Sequence, residues 1–177
     1  INFGINMIAL FTDFGWNGPY VGQVKAALAK AGYSGTVIDL MHDAPAFNSK
    51  HSAYLLASLI DAFPDGTVFL CVVDPGVGSV RKPVVVKAGS FTVGGPDNGL
   101  FNVVVSRYTD VEVYEIKWKP EELSSTFHGR DLFAPIAVAA WFEQLNNYEL
   151  SPIPSIESWP VDLNEIIYID HFGNCIT

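Results

Sequence analysis

Residues 66–74 read GTVFLCVVD. The run is apolar from Val68 to Val73 and stops at Asp74. A strand with one wet face alternates apolar and polar residues, and this one does not. It therefore reads as a strand of a parallel sheet, buried on both faces. Working back toward the N-terminus, SKHSAYLLASLIDAF (49–63) reads as a helix with Ser49 as its cap candidate, and GTVIDLMHD (35–43) as a second strand. Before it, YVGQVKAALAKAG (20–32) places Val21, Val24, Ala27 and Leu28 on one helix face, with Gly32 as the stop. MIALFTDFG (7–15) is a further buried strand, and residues 1–6 read as an extension ahead of it, either native or an added non-native stretch. On the C-terminal side, KPVVVKAG (82–89) and SFTVGGPDNG (90–99) are shorter strands joined by a glycine turn. VEVYEIKW (111–118) is another strand, and GRDLFAPIAVAAWFEQL (129–145) is a helix with Pro135 early enough to be tolerated.

Strand and helix alternate, which predicts an α/β domain over residues 1–150, with a mainly parallel sheet and helices on both faces. SPIPSIESWPVDLNE (151–165) is proline-rich and aperiodic, and is expected to be a linker. IIYIDHFGNCIT (166–177) carries a fresh strand signal. It is expected to start a C-terminal β domain whose remainder is missing from the chain.

The bulk composition narrows the partners. The chain has 177 residues, 49% of them apolar, and a net charge of −9 with ten Lys and Arg. With no basic run, nucleic acid and anionic membrane are not expected partners. Cys71 and Cys175 form no disulfide or zinc pattern, which fits a reducing compartment and a cytoplasmic location. No signal peptide or transmembrane segment is expected.

In an open α/β sheet, ligands bind beyond the carboxyl ends of the strands. Asp13, Asp74, the pair Asp97 and Asn98, and His128 all fall at such places. Each also has a plain structural reading. A strand-end Asp caps a turn, Asp97-Asn98-Gly99 makes a turn and an N-cap, and a His before a helix braces it. Asp39 and Asp43 read as surface or capping residues, and His42 and His51 lack metal-ligand spacing. GxSxG, P-loop and HExxH motifs are absent, and no Gly-x-Gly follows the first strand. No metal and no cofactor are therefore expected.

Read together, TDFG, YVG, VVDPGVGS.R, GPDNGLF, STFHGRDLFAP and IDHFGN occur in this order over nearly the whole chain. This set strongly resembles the S-adenosylmethionine (SAM) hydroxide adenosyltransferase family, whose relatives fluorinate and chlorinate SAM. The resemblance implies hydrolysis of SAM to adenosine and L-methionine by attack of water at ribose C5′. It implies a catalytic group of Asp74, Arg81 and His128, which the halogenating relatives lack, so halide transfer is disfavoured. It places the ribose hydroxyls on Asp13, and the methionine and adenine pockets at Asp170, Phe172 and Asn174. It also implies a homotrimer at full length, with each site completed by the next subunit's C-terminal domain.

Two departures bear on this. Family members carry an acid two residues before Tyr-Val-Gly, and this chain has Gly18 there. The β-rich domain beyond FGN is expected to be missing, so residues 1–177 by themselves are expected to turn over weakly or not at all. A non-catalytic module that holds adenosine or SAM is the alternative from another class.

Overall fold

A computed structural model describes residues 7–177; the extension expected at residues 1–6 lies outside the described residues. The sheet begins with β1 (Met7–Thr12), α1 (Tyr20–Lys30), β2 (Thr36–Met41), α2 (Ser49–Leu59) and β3 (Val68–Val72). The hairpin β4 (Pro83–Ala88) and β5 (Phe91–Pro96) follows, then α3 (Asn102–Arg107) and β6 (Val111–Ile116). A π-helical turn (Gly129–Phe133) leads into α4 (Ala134–Trp141), and β7 (Leu150–Ile153) completes a seven-stranded sheet. A separate two-stranded ribbon pairs β8 (Tyr168–Ile169) with β9 (Cys175–Ile176).

The strand order is β2-β1-β3-β5-β4-β6-β7. β2, β1, β3 and β5 are parallel, as expected for the central part. From β5 outward the pairings through β4, β6 and β7 are antiparallel. A tight turn at Gly89 and Ser90 joins β4 to β5, and so short a connection permits only antiparallel pairing.

The continuous apolar run of β3 is explained by its two-sided burial. Val68, Leu70 and Val72 face a core with Ile8, Leu10, Val24, Leu28, Phe133 and Ile136. Phe69, Cys71 and Val73 face the opposite core with Phe11, Leu55, Leu56, Val103 and Val104. One core is closed by α1 and α4, the other by α2 and α3. Burying each such side chain contributes roughly 1.5–3 kcal/mol, so the two-faced strand anchors the fold.

Some elements differ from their sequence reading. The N-cap of α2 is Asn48, whose side chain accepts the His51 N–H at 3.0 Å, so Ser49 is the first helical residue. α3 is a short helix within FNVVVSR, a valine-rich stretch that carries no helical period of its own. Residues 151–153, expected to open a linker, are part of β7 and pair with β6. Pro152 is tolerated because β7 is an edge strand. The segment after it packs down as well, burying Ile156 and Ile167 in the α2–α3 core. Pro135 cannot donate a backbone hydrogen bond, so the ladder widens ahead of it into the π turn.

Candidate functional site

Asp74 follows the buried end of β3, and the chain then turns back on itself twice. The Val77 N–H donates to the Asp74 carbonyl at 3.2 Å and the Ser79 N–H to the Gly76 carbonyl at 2.9 Å. Gly78 has φ +76°, and a Cβ there would lie 2.5 Å from the Ser125 carbonyl oxygen. Only glycine meets both demands. These turns return Arg81 to Asp74. Its Nε donates to Asp74 Oδ1 at 3.0 Å, and its Nη2 donates to Oδ2. The same Nη2 donates to His128 Nδ1 at 2.9 Å. His128 occupies the N-cap position directly before the π turn, and its side chain makes no capping bond there, which leaves the ring free to meet Arg81.

The Asp74 and Arg81 side chains are 3% and 9% exposed, so this is a desolvated, two-pronged ion pair. Burial pushes the His128 imidazole below its usual range, and the Arg81 charge adds to this against the weaker pull of Asp74 and Asp131. The ring is therefore neutral near pH 7. Because Nδ1 accepts from Arg81, its proton sits on Nε2.

Asp13 ends β1 beside this group. With Phe14, Asp74, Phe127 and His128 it lines a small cavity of about 60 Å³. Its Oδ2 accepts the Phe47 N–H at 3.4 Å. Burial pushes the Asp13 carboxyl up, and the Asp74 charge adds to this, against backbone hydrogen bonds that lower it. A raised folded-state value means that ionised Asp13 costs stability at every pH above its ordinary range. Asp13→Asn is thus expected to raise the thermal unfolding midpoint. It is also expected to weaken adenosine binding by about 10- to 100-fold, the size of a lost charged hydrogen bond. Calorimetry on the same samples reads both effects.

Asp170, Phe172 and Asn174 are brought together with one another but not with the Asp74 group. They sit in the β8–β9 turn, where Asp170 Oδ1 accepts the Phe172 and Asn174 N–H groups at 2.9 and 2.8 Å. Asp170 Oδ2 accepts from Asn174 Nδ2 at 2.7 Å. The Asn174 hydrogen bonds hold the Asp170 carboxyl below its usual range. Phe172 is 86% exposed. The ribbon packs Tyr168 and Ile176 on the α2–α3 core, and the Tyr168 hydroxyl donates to Asp43 Oδ2 at 2.8 Å. Gly18 lies on the exposed turn before α1.

Sequence reasoning passed over two features here. Phe47 is 79% exposed and holds φ +58°, a strained value for a bulky side chain, while its N–H reaches Asp13. Asp39, read as a surface or capping residue, is half-buried and hydrogen-bonded to the buried His42, which meets Thr12 on its other side. The i,i+3 spacing of Asp39 and His42 at a strand end was the only hint. Asn98 keeps its turn reading but not the N-cap one: its Oδ1 accepts the Leu100 N–H at 3.3 Å and its Nδ2 donates to the Val73 carbonyl at 2.8 Å, bracing the end of β3, whereas the N-cap of α3 is Phe101, without a side-chain cap.

The geometry defines an α/β domain with a desolvated Asp–Arg–His group and a second carboxylate at the carboxyl ends of neighbouring parallel strands. Residues 8–148 match the SAM hydroxide adenosyltransferase N-terminal domain. The chain is 37% identical, over 98% of its length, to the (R)-S-adenosyl-L-methionine hydrolase of Methanocaldococcus jannaschii, of which it covers 66%. To the (R)-S-adenosyl-L-methionine hydrolase of Thermus thermophilus it is 34% identical over 96% of its length, covering 73% of that protein. The crystal structure of an uncharacterised conserved protein from Thermotoga maritima matches with a TM-score of 0.86 at 34% identity, covering 96% of this chain and 70% of that one. The chain belongs to the SAM hydroxide adenosyltransferase family, and it spans about two thirds of the length of the first of these relatives.

Proposed function

We propose that the protein hydrolyses SAM to adenosine and L-methionine, with water attacking ribose C5′ in line with the C5′–S bond. The observation that carries this reading is the contact of Arg81 with both Asp74 and His128. The sulfonium leaves as a neutral thioether and needs no general acid. The difficulty lies in the nucleophile, since bulk water has a pKa of about 15.7.

Asp74 is the anionic acceptor of the group. It takes a hydrogen bond from the water and draws off its proton as the C5′–O bond forms. Neutral His128, with its proton on Nε2, orients the water, and the Arg81 guanidinium stabilises the developing hydroxide. Fixing the water in line can supply on the order of 7 kcal/mol of the barrier. The proton passes to solvent, so the products are adenosine, methionine and one proton. Asp13 accepts from the two ribose hydroxyls.

The exposed β8–β9 turn fits a role in a neighbouring subunit's site, with Phe172 packing on the adenine face and Asn174 reading its edge. Asp170 faces the methionine end of the ligand, where Gly18 leaves no carboxylate. A trimer and a C-terminal continuation complete that arrangement. The test is to incubate SAM with the protein extended by that continuation, in buffer containing chloride and fluoride, and to follow the nucleoside product by chromatography. Adenosine with methionine is the expected outcome. A 5′-halogenated nucleoside formed in its place would move the assignment to the halogenating branch.

A further inference from the structure

Asp13 has neighbours that hold it from below. Thr12 is 1% exposed and His42 is 1% exposed. The Thr12 hydroxyl lies 2.7 Å from His42 Nδ1, and His42 Nε2 lies 2.9 Å from Asp39 Oδ1. Asp39 Oδ2 in turn accepts from Lys25 Nζ on α1 at 2.6 Å. A carboxylate only accepts, so the imidazole donates Nε2–H to Asp39. In the neutral ring Nδ1 then accepts the Thr12 hydroxyl proton. Lys25 and His42 together hold the Asp39 carboxyl below its usual range, although burial opposes this.

The same histidine grips the chain on the other side of Asp13. The Gly15 N–H donates to the His42 carbonyl at 2.6 Å, and the Ala44 N–H donates to the Thr12 carbonyl at 3.1 Å. The Phe14 N–H also approaches Thr12 Oγ1 at 3.4 Å. Residues 12, 14 and 15 are thus tied to one another and to His42, and Asp13 is the residue between the ties. The edge of Trp16 against the His42 ring, centroids 4.7 Å apart, covers the network from solvent.

We infer that Thr12, His42 and Asp39 are positioning residues for Asp13: they set the carboxylate that receives the ribose diol and do not touch the reacting atoms. The inference rests on the functional reading above. A site held by such a second layer keeps its geometry before substrate arrives, which is where its affinity originates. The network should therefore govern binding of the nucleoside and leave the chemical step at C5′ nearly unchanged.

Thr12→Val keeps the shape of the side chain and removes the hydroxyl, whereas Thr12→Ser keeps the hydroxyl. In the C-terminally extended protein, Thr12→Val is expected to raise KM for SAM and the adenosine Kd by about tenfold, with kcat within about twofold. Thr12→Ser is expected to stay within about twofold of wild type in all of them. Asp39→Ala, which removes both acceptor oxygens and so breaks the chain at its far end, should move the same constants in the same direction even if Thr12→Val folds poorly. A merely structural role would lower the melting temperature without this split between KM and kcat. Wild-type KM and adenosine Kd in both Thr12→Val and Asp39→Ala would overturn the inference alone. A wild type that binds neither SAM nor adenosine would overturn the functional reading, and the inference with it.

Discussion

Asp74→Ala in the C-terminally extended protein is expected to slow adenosine formation from SAM by about 10²–10⁴-fold, the range for loss of a positioned acid–base group. The size follows from what Asp74 does in two bonds. It is the acceptor for the water proton, and both of its oxygens fix the Arg81 fork. Without it, Arg81 keeps its contact to His128 Nδ1 and its place over the Phe133 ring but loses the two-pronged anchor that fixes the guanidinium. The substitution also leaves a cation that is 9% exposed without its partner, which costs about 3–5 kcal/mol of stability. Adenosine affinity separates the two effects. A folded variant should bind adenosine within a few-fold of wild type, because Asp13 is untouched, and still fail to turn over. Retained turnover in Asp74→Ala combined with His128→Ala would remove this group from the mechanism.

The second large effect is on the fold. Gly95 lies in β5 opposite Val84 of β4. A Cβ at Gly95 would stand 2.1 Å from the Cys71 carbonyl oxygen and 3.0 Å from Phe101 Cζ. The first obstacle is backbone of β3, which cannot swing aside as a side chain would. Gly95→Ala is expected to destabilise the protein by about 3 kcal/mol or more, lowering Tm by roughly 6–12 °C. It forces β3 and β5 apart only three residues before Asp74, so activity should fall with stability. A thermal scan showing wild-type Tm would mean that the two strands are not packed this closely.

Much of this site can be read from the chain, because the decisive signals are local. Asp74 is where a two-faced apolar strand ends, and Gly76 and Gly78 just beyond it permit the tight turns the structure shows. The two-sided burial of Val68–Val73 is visible as missing alternation. Other features depend on contacts made across long separations. Nothing near His128 signals that it meets Arg81, 47 residues away in sequence. Only the family resemblance implies that pairing. α3 forms in a valine-rich segment because Val103 and Val104 are buried against α2, and tertiary packing overrides weak helical preference. Edge strand β7 was obscured by prolines that an edge tolerates. The Thr12–His42–Asp39 chain joins the ends of two adjacent strands, and only the fold puts those ends side by side.

The central claim is that water enters at C5′ beside Asp74, Arg81 and His128. Its most direct test is hydrolysis of SAM by the extended protein in H₂¹⁸O, with the products analysed by mass spectrometry. The account predicts adenosine carrying one ¹⁸O at its 5′-oxygen and methionine carrying none. Adenosine free of label, or label in the methionine, would contradict it.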